Sequence, residues 1–167
     1  MLNHLITNKT RVKLLIKFFV NYSNIGHLNG LAGEFKESTN SIRKELNHFS
    51  KAGYIKRSKV GNKIIYKDDS SHPLFGVLQK IVRTHLGLED IVSKIFKNIG
   101  EVEHIILTGD YAKGIDSGII DLIIVGKDIN EDYLIQLKVK VEKIIKRKVK
   151  FIINNEIPSG EFLLLLK

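Results

Sequence analysis

Along residues 10–22 the apolar positions Val12, Leu15, Ile16, Phe19 and Val20 keep the spacing of one helix face. Asn24-Ile25-Gly26-His27 breaks that pattern. Residues 28–36 then predict a short second helix, in which Gly30 and Gly33 each cost about 1 kcal/mol. Ser38 or Thr39 can cap a third helix reaching about Ala52, with Ile42, Leu46 and Phe49 at i, i+4 and i+7 and Gly53 as its stop. Residues 54–59 and 63–67, joined by a Gly61-Asn62 turn, predict a β-hairpin with a basic tip. A polar linker follows at 68–73. Residues 74–86 predict an amphipathic helix with Leu74, Leu78, Ile81 and Val82 on one stripe, ended by Gly87. Glu89-Asp90 opens the next helix, which buries Ile91, Val92, Ile95 and Phe96.

The period changes at Val102. Two apolar runs, 102–107 and 119–125, flank the segment from Thr108 to Gly114 and a loop. Residues 131–146 predict a helix with Leu134, Leu137, Val141, Ile144 and Ile145 inward, and 149–153 predict a third strand. The order β–α–β–α–β describes a small α/β domain with a mixed sheet. The expected class is α+β: a winged helix-turn-helix over 1–72, linker helices over 73–100, and the α/β domain over 101–167.

In a winged helix-turn-helix the third helix enters the major groove and the hairpin tip reaches phosphates or the minor groove. With Ile42, Leu46 and Phe49 inward, Asn40, Ser41, Arg43, Lys44 and Asn47 are left on or near the outer face. Arg and Asn are the side chains best suited to guanine and adenine edges. Lys56, Arg57, Lys59 and Lys63 suit phosphate contact. These nine residues form the expected DNA-binding set; the bland alternative is a charged face that serves solubility.

Charge supports the division. The 167-residue chain carries +9, with 27 basic and 18 acidic residues. Residues 1–72 hold 13 basic and 5 acidic side chains, 73–100 hold 4 and 2, and 101–167 hold 10 and 11. Nearly all the excess therefore lies in the first part, as expected of one module that faces a polyanion such as double-stranded DNA. The absence of cysteine rules out disulfides, thiolate zinc sites and cysteine nucleophiles, and fits a reducing cytoplasm. The longest apolar run, 14–20, is interrupted by Lys17, far short of the roughly 18–20 residues of a membrane span. A cytoplasmic, soluble protein with no membrane partner is expected.

The segment Thr108-Gly-Asp-Tyr-Ala-Lys-Gly114 followed by Ser117-Gly-Ile-Ile-Asp-Leu122 resembles the signature of minimal nucleotidyltransferases of the DNA polymerase beta superfamily. With the Tyr54 hairpin, the His72-Pro73-Leu74-Phe75 segment and the Gly87-Leu88 break, the chain resembles an ArsR-type winged helix fused to such a domain, from about Thr10 to Phe162. The family pattern is Gly-Ser-x-Ala-Arg/Lys-Gly, a loop, then Ser-Asp-x-Asp-Leu. Its two strand carboxylates and a third from a neighbouring strand hold Mg²⁺ against a nucleotide triphosphate. Gly109, Ala112, Lys113, Gly114, Ser117, Asp121 and Leu122 match that pattern. Asp110 replaces the phosphate-gripping serine, Ile119 replaces the first carboxylate, and Lys150 aligns with the third.

One of three metal ligands is left, so the resemblance implies an inactive domain without metal or cofactor, and no catalytic residue. Asp121 is expected to be held by Lys150 or by backbone N–H groups, with a cost of about 1–3 kcal/mol on removing Lys150 if that pair is buried. A regrouping of Asp110, Asp116 and Asp121 around a metal is the alternative. The six histidines, His4, His27, His48, His72, His85 and His104, show no ligand spacing. No phosphate-binding or dinucleotide glycine fingerprint is present.

The expected function is a DNA-binding transcriptional regulator. The resemblance implies a homodimer, for which helices 10–22 and 74–86 are the natural interface. An unknown ligand or protein partner of the C-terminal domain stays open. Two rivals are an active nucleotidyltransferase that docks through its winged helix, and an antitoxin-like module that binds a protein partner.

Overall fold

The computed structural model describes residues 6–160 and 162–166; His4 and the Phe96 side chain, expected inward, lie outside the described residues. The chain is α+β and divides into two compact units, Met1–His85 and Leu86–Lys167. Among the described residues no helix is long and apolar enough to cross a membrane.

The first unit contains α1 (Lys9–Phe19), β1 (Ile25–His27), α2 (Leu28–Phe35), α3 (Thr39–Lys51), β2 (Ile55–Val60) and β3 (Lys63–Asp68). Helix α4 (Phe75–Leu86) runs up to the boundary. Three helices thus precede a β-hairpin, in the order that the sequence pattern predicts. Strand β1 is an addition to the sequence reading: it pairs antiparallel with β3, giving the sheet order β1-β3-β2. Three residues with a central glycine are too short to show a period.

Asn8 caps α1 by accepting the Arg11 N–H at 3.1 Å, and Val12, Leu15, Ile16, Phe19 and Val20 are all buried. Polar ties then fix α1 to the α2–α3 connection. Lys13 Nζ donates to the Phe35 carbonyl and to Glu37, both at 2.9 Å. Thr10 Oγ1 donates to Glu37 at 2.7 Å, and Lys17 pairs with Glu34 at 3.0 Å. The Thr10 and Lys13 bonds lower the Glu37 pKa.

Helix α4 divides its predicted stripe. Val82 and Leu86 are fully buried and Phe75 packs on Phe19 at 6.0 Å between ring centroids. Leu74, Val77 and Ile81 stay exposed at 45%, 52% and 39%. The apolar side chains of α1, in contrast, are spent on the core. They are not free for an interface, which corrects the expectation for residues 10–22.

The 68–73 segment is tied down rather than loose. The Asp69 N–H donates to the Tyr54 carbonyl at 3.0 Å, and the His72 ring meets Tyr54 edge-on at 4.9 Å. Asp68 is buried with Oδ1 unpartnered, and burial raises its pKa above the ordinary 3.8. A raised carboxylate pKa means the folded state holds the proton more tightly. The contribution of this group is therefore most favourable below about 3.8 and is lost as pH rises through the folded value. Asp68→Asn keeps the size and removes the charge. It is expected to stabilise the protein by about 1 kcal/mol at pH 7 and by less at pH 4, read from paired urea titrations.

The second unit contains α5 (Leu88–Asn98), β4 (Glu101–Thr108), α6 (Gly109–Ala112), β5 (Ile119–Lys127), α7 (Glu131–Ile145), β6 (Lys148–Asn154) and β7 (Leu163–Leu166). The sheet order is β6-β5-β4-β7, with β5 and β6 parallel and the other pairs antiparallel, so the sheet is mixed. Strand β7, a run of leucines after a Pro-Ser-Gly turn, is the element that the β–α–β–α–β reading lacks. One sheet face carries Ile105, Leu107, Ile120, Leu122, Ile124 and Val149, all buried. Helices α5 and α7 add Ile91, Ile95, Leu134, Leu137 and Val141 to the buried set. Ile144, expected inward, is 60% exposed on the last turn of α7.

Candidate nucleic-acid interface

Helix α3 is positioned by both its ends and its middle. Ser38 Oγ accepts the Ser41 N–H at 3.2 Å, and Ile42, Leu46 and Phe49 are buried. Glu45, between them, is also buried and takes the Arg11 guanidinium at 2.7 Å and the Asn8 amide at 2.8 Å. The same Asn8 that starts α1 therefore also fixes the roll of α3. Its outer face then carries Asn40, Ser41, Arg43, Lys44 and Asn47, all exposed.

Arg43 and Asn47 on α3 meet Arg57 and Lys63 of the hairpin around one concave surface of about 410 Å³. His27, Asn29, Asn62 and Tyr66 also line it, and no acidic side chain does. Arg43, Arg57 and Lys63 have no acidic partner among the described residues. Sequence reasoning missed the four added residues. His27 also has a structural role, since its Nδ1 accepts the Gly30 N–H at 3.1 Å and caps α2. A Cβ on Gly30 would come within 2.9 Å of that imidazole ring, so glycine belongs there for close approach.

The other expected contacts fall elsewhere. Ser41 is engaged in the α3 cap, its hydroxyl 3.0 Å from that of Ser38. Asn40 and Lys44 are exposed on α3 outside this surface, and Lys59 is exposed near the hairpin tip. Lys56 stands apart. Arg57 lies opposite Tyr66 while Lys56 lies opposite Lys67, so the two basic residues leave the hairpin on different faces. Lys56 Nζ pairs with Asp69 at 2.8 Å, and Lys56 and Ser71 hold the Asp69 carboxylate down at about 2. Its charge is thus offset locally by Asp69.

In the second unit the motif residues converge as their spacing requires. Gly109 has φ +66°, and a Cβ there would lie 2.5 Å from Asp121 Oδ2. Only glycine lets the left-handed turn press against that carboxylate. Asp121 stands in register with Thr108 on β4 and Lys150 on β6. Lys150 Nζ lies 3.9 Å from Asp121 Oδ1, with side-chain exposures of 62% and 26%. The ammonium is therefore opposite Asp121, but as a long, wet pair rather than a buried one. Lys150→Ala is accordingly expected to cost no more than about 1 kcal/mol, below the buried-pair figure, as thermal melts would show.

Ile119 occupies the same face two residues before Asp121 and is 38% exposed. Asp110 is exposed in the single turn of α6. Asp116 is engaged with two other side chains. It pairs with Arg147 at 3.1 Å and accepts a hydrogen bond from the Tyr111 hydroxyl. Arg147 Nε donates to the same phenol oxygen at 2.8 Å. This half-buried triad is a second feature the sequence reading missed. Among the described residues no three His, Asp or Glu side chains gather as a cation site.

No family model matches the chain, and no curated protein does. Among solved structures, reduced HlyU from Vibrio cholerae N16961 is similar with a TM-score of 0.40 and 15% identity, over 52% of this chain and 83% of that one. Human N-acetylserotonin methyltransferase in complex with SAM follows at 0.31 and 10% identity, over 60% of this chain and 33% of the enzyme. At these scores neither likeness carries a conclusion about function, which has to come from the chain's own geometry.

Proposed function

We propose that the chain is a transcriptional regulator that binds duplex DNA as a homodimer, with a nucleotidyltransferase-like second unit that transfers no nucleotide. The observation that carries this reading is the convergence of Arg43, Asn47, Arg57 and Lys63 on one acid-free concave surface. A helix exposing Arg and Asn beside a basic hairpin suits base edges in the major groove with flanking phosphates. The first unit holds 15 basic and 5 acidic residues, ample for a salt-sensitive phosphate contribution. The exposed stripe of Val77 and Ile81 on α4, with Leu74 just before it, is the surface we assign to the dimer. A two-fold pair would present its recognition helices about 34 Å, one DNA turn, apart.

The absence of catalysis is the second half of the proposal. Mg²⁺ needs an oxygen-rich shell, and the motif offers Asp121 between Ile119 and a lysine. Asp110, at the turn where a triphosphate would lie, repels an anion. These residues do not fit the metal-dependent chemistry of the family they resemble.

Anisotropy titration of a labelled duplex at low salt is the test. Binding is expected, with log affinity falling linearly in log salt concentration, and light scattering should give a dimer. No duplex binding at low salt overturns the reading. Transfer of label from any of the four ribonucleoside triphosphates, with Mg²⁺ present, overturns the inactive assignment.

A further inference from the structure

Strand β6 ends the sheet, so β5 is its one neighbour in the order β6-β5-β4-β7. Along such a strand, successive residues turn their N–H and C=O groups to alternate sides. The Lys148 N–H donates to the Gly118 carbonyl at 2.9 Å, on the β5 side. The Val149 N–H instead donates to Glu142 Oε1 at 2.9 Å. Parity then sends Val149, Phe151 and Ile153 to the free edge. Glu142 takes the N–H at the first of these positions, and among the described residues no strand pairs with the backbone groups of Phe151 and Ile153.

A groove of about 530 Å³ runs beside this edge, between β6 and α7. Leu134, Ile135, Phe151, Ile152 and Ile153 give it apolar walls, and Lys138 and Lys150 outnumber Glu131 as its charges. Ile135, Ile152 and Ile153 are 64%, 50% and 37% exposed.

We propose that this groove binds an extended peptide segment of a partner protein, added to β6 as a further strand, with apolar residues alternating with carboxylates. The open N–H and C=O groups of Phe151 and Ile153 call for a main chain, which a small molecule does not supply. Walls this exposed would also leave a compact ligand half wet, whereas an added strand covers both. The pleat sets the alternation. Phe151 and Ile153 share the α7 side of the sheet, while Lys150 and Ile152 share the other. The guest's apolar side chains therefore meet Ile135, Phe151 and Ile153, and its alternate carboxylates meet Lys150. A second copy of β6 is excluded as the occupant by chemistry: Lys148–Asn154 reads KVKFIIN and brings no acid to the lysines. This proposal is independent of the DNA-binding reading.

The probe is a labelled, end-blocked peptide of alternating valine and glutamate, seven residues long, compared with its valine–lysine twin on the full chain. The glutamate peptide is expected to bind at least tenfold more tightly than the twin. Ile153→Pro deletes one free-edge N–H and leaves the β5 bonds in place, as edge strands tolerate. It should weaken the glutamate peptide at least tenfold. Lys138→Glu with Lys150→Glu, both on the surface, should reverse the preference between peptides and serves as the readout if the proline variant melts early. Failure of the wild type to bind either peptide overturns the proposal. So does binding that both variants leave unchanged, which is adsorption to the basic first unit. A dimer that Ile153→Pro converts to monomer, seen by light scattering, overturns it in favour of a second copy.

Discussion

Replacing Arg43, Arg57 and Lys63 together with alanine is expected to lower duplex affinity by two to four decades at moderate salt. That range follows from about 1–3 kcal/mol for an arginine that reads a base edge, with phosphate contacts adding to it. The three side chains are exposed and lack acidic partners among the described residues, so folding stability should stay within about 0.5 kcal/mol of wild type. The slope of log affinity against log salt should fall by about one for each phosphate contact removed. As single variants, Arg43→Ala and Asn47→Ala should alter sequence preference, whereas Arg57→Ala and Lys63→Ala should weaken all duplexes alike. Lys56→Ala is the internal control. It is made together with Asp69→Asn, because Asp69, held near 2 by Lys56 and Ser71, would otherwise be left as a bare carboxylate; losing both members of the pair should barely change affinity. Anisotropy titrations of these variants at three salt concentrations decide the matter; a triple variant that binds like wild type refutes the interface.

The first unit was legible because its elements are long enough to show a period. Val12, Leu15, Ile16, Phe19 and Val20 mark one helix face, Ile42, Leu46 and Phe49 another, and all of them are buried. What the pattern hides is polar and long-range. Glu45 is inward on α3 because Arg11 and Asn8, more than thirty residues away, satisfy its carboxylate. No local signal announces such a partner. Lys56 illustrates the converse: the sequence shows a cation on a basic hairpin, and only the fold brings Asp69 beside it.

In the second unit the motif spacing placed Gly109, Asp121 and Lys150 together correctly, because strand register converts sequence offsets into neighbours. Burial was not legible. Lys150 is at the open edge strand, where a long side chain reaches water, so the pair with Asp121 is loose. Strand β7 escaped because four leucines have no alternation to read. Asp116 was read as a loop carboxylate, and its loop is closed by a residue thirty-one positions on.

That closure makes Asp116→Ala the substitution with the largest expected effect on the second unit, a loss of about 2–3 kcal/mol. Tyr111 is fully buried, and Arg147 keeps only 15% of its side chain exposed. Removing the carboxylate strands a guanidinium that retains the Tyr111 oxygen at 2.8 Å and the Ile145 carbonyl at 3.3 Å, with no other countercharge among the described residues. Tyr111→Phe should cost less, about 1 kcal/mol, since the Arg147–Asp116 pair survives it. The double variant should fall short of the sum, because both changes break one network. The alkaline limb separates the network from simple packing. Burial, and then the Asp116 carboxylate, raise the Tyr111 pKa well above its ordinary 10. The folded state thus holds this proton more tightly than the unfolded state. Its contribution is intact below pH 10 and is lost as pH rises beyond that. Urea titrations of the wild type should show stability falling above pH 10, with a shallower fall in Tyr111→Phe. Equal slopes in the two proteins would remove the phenol from this account.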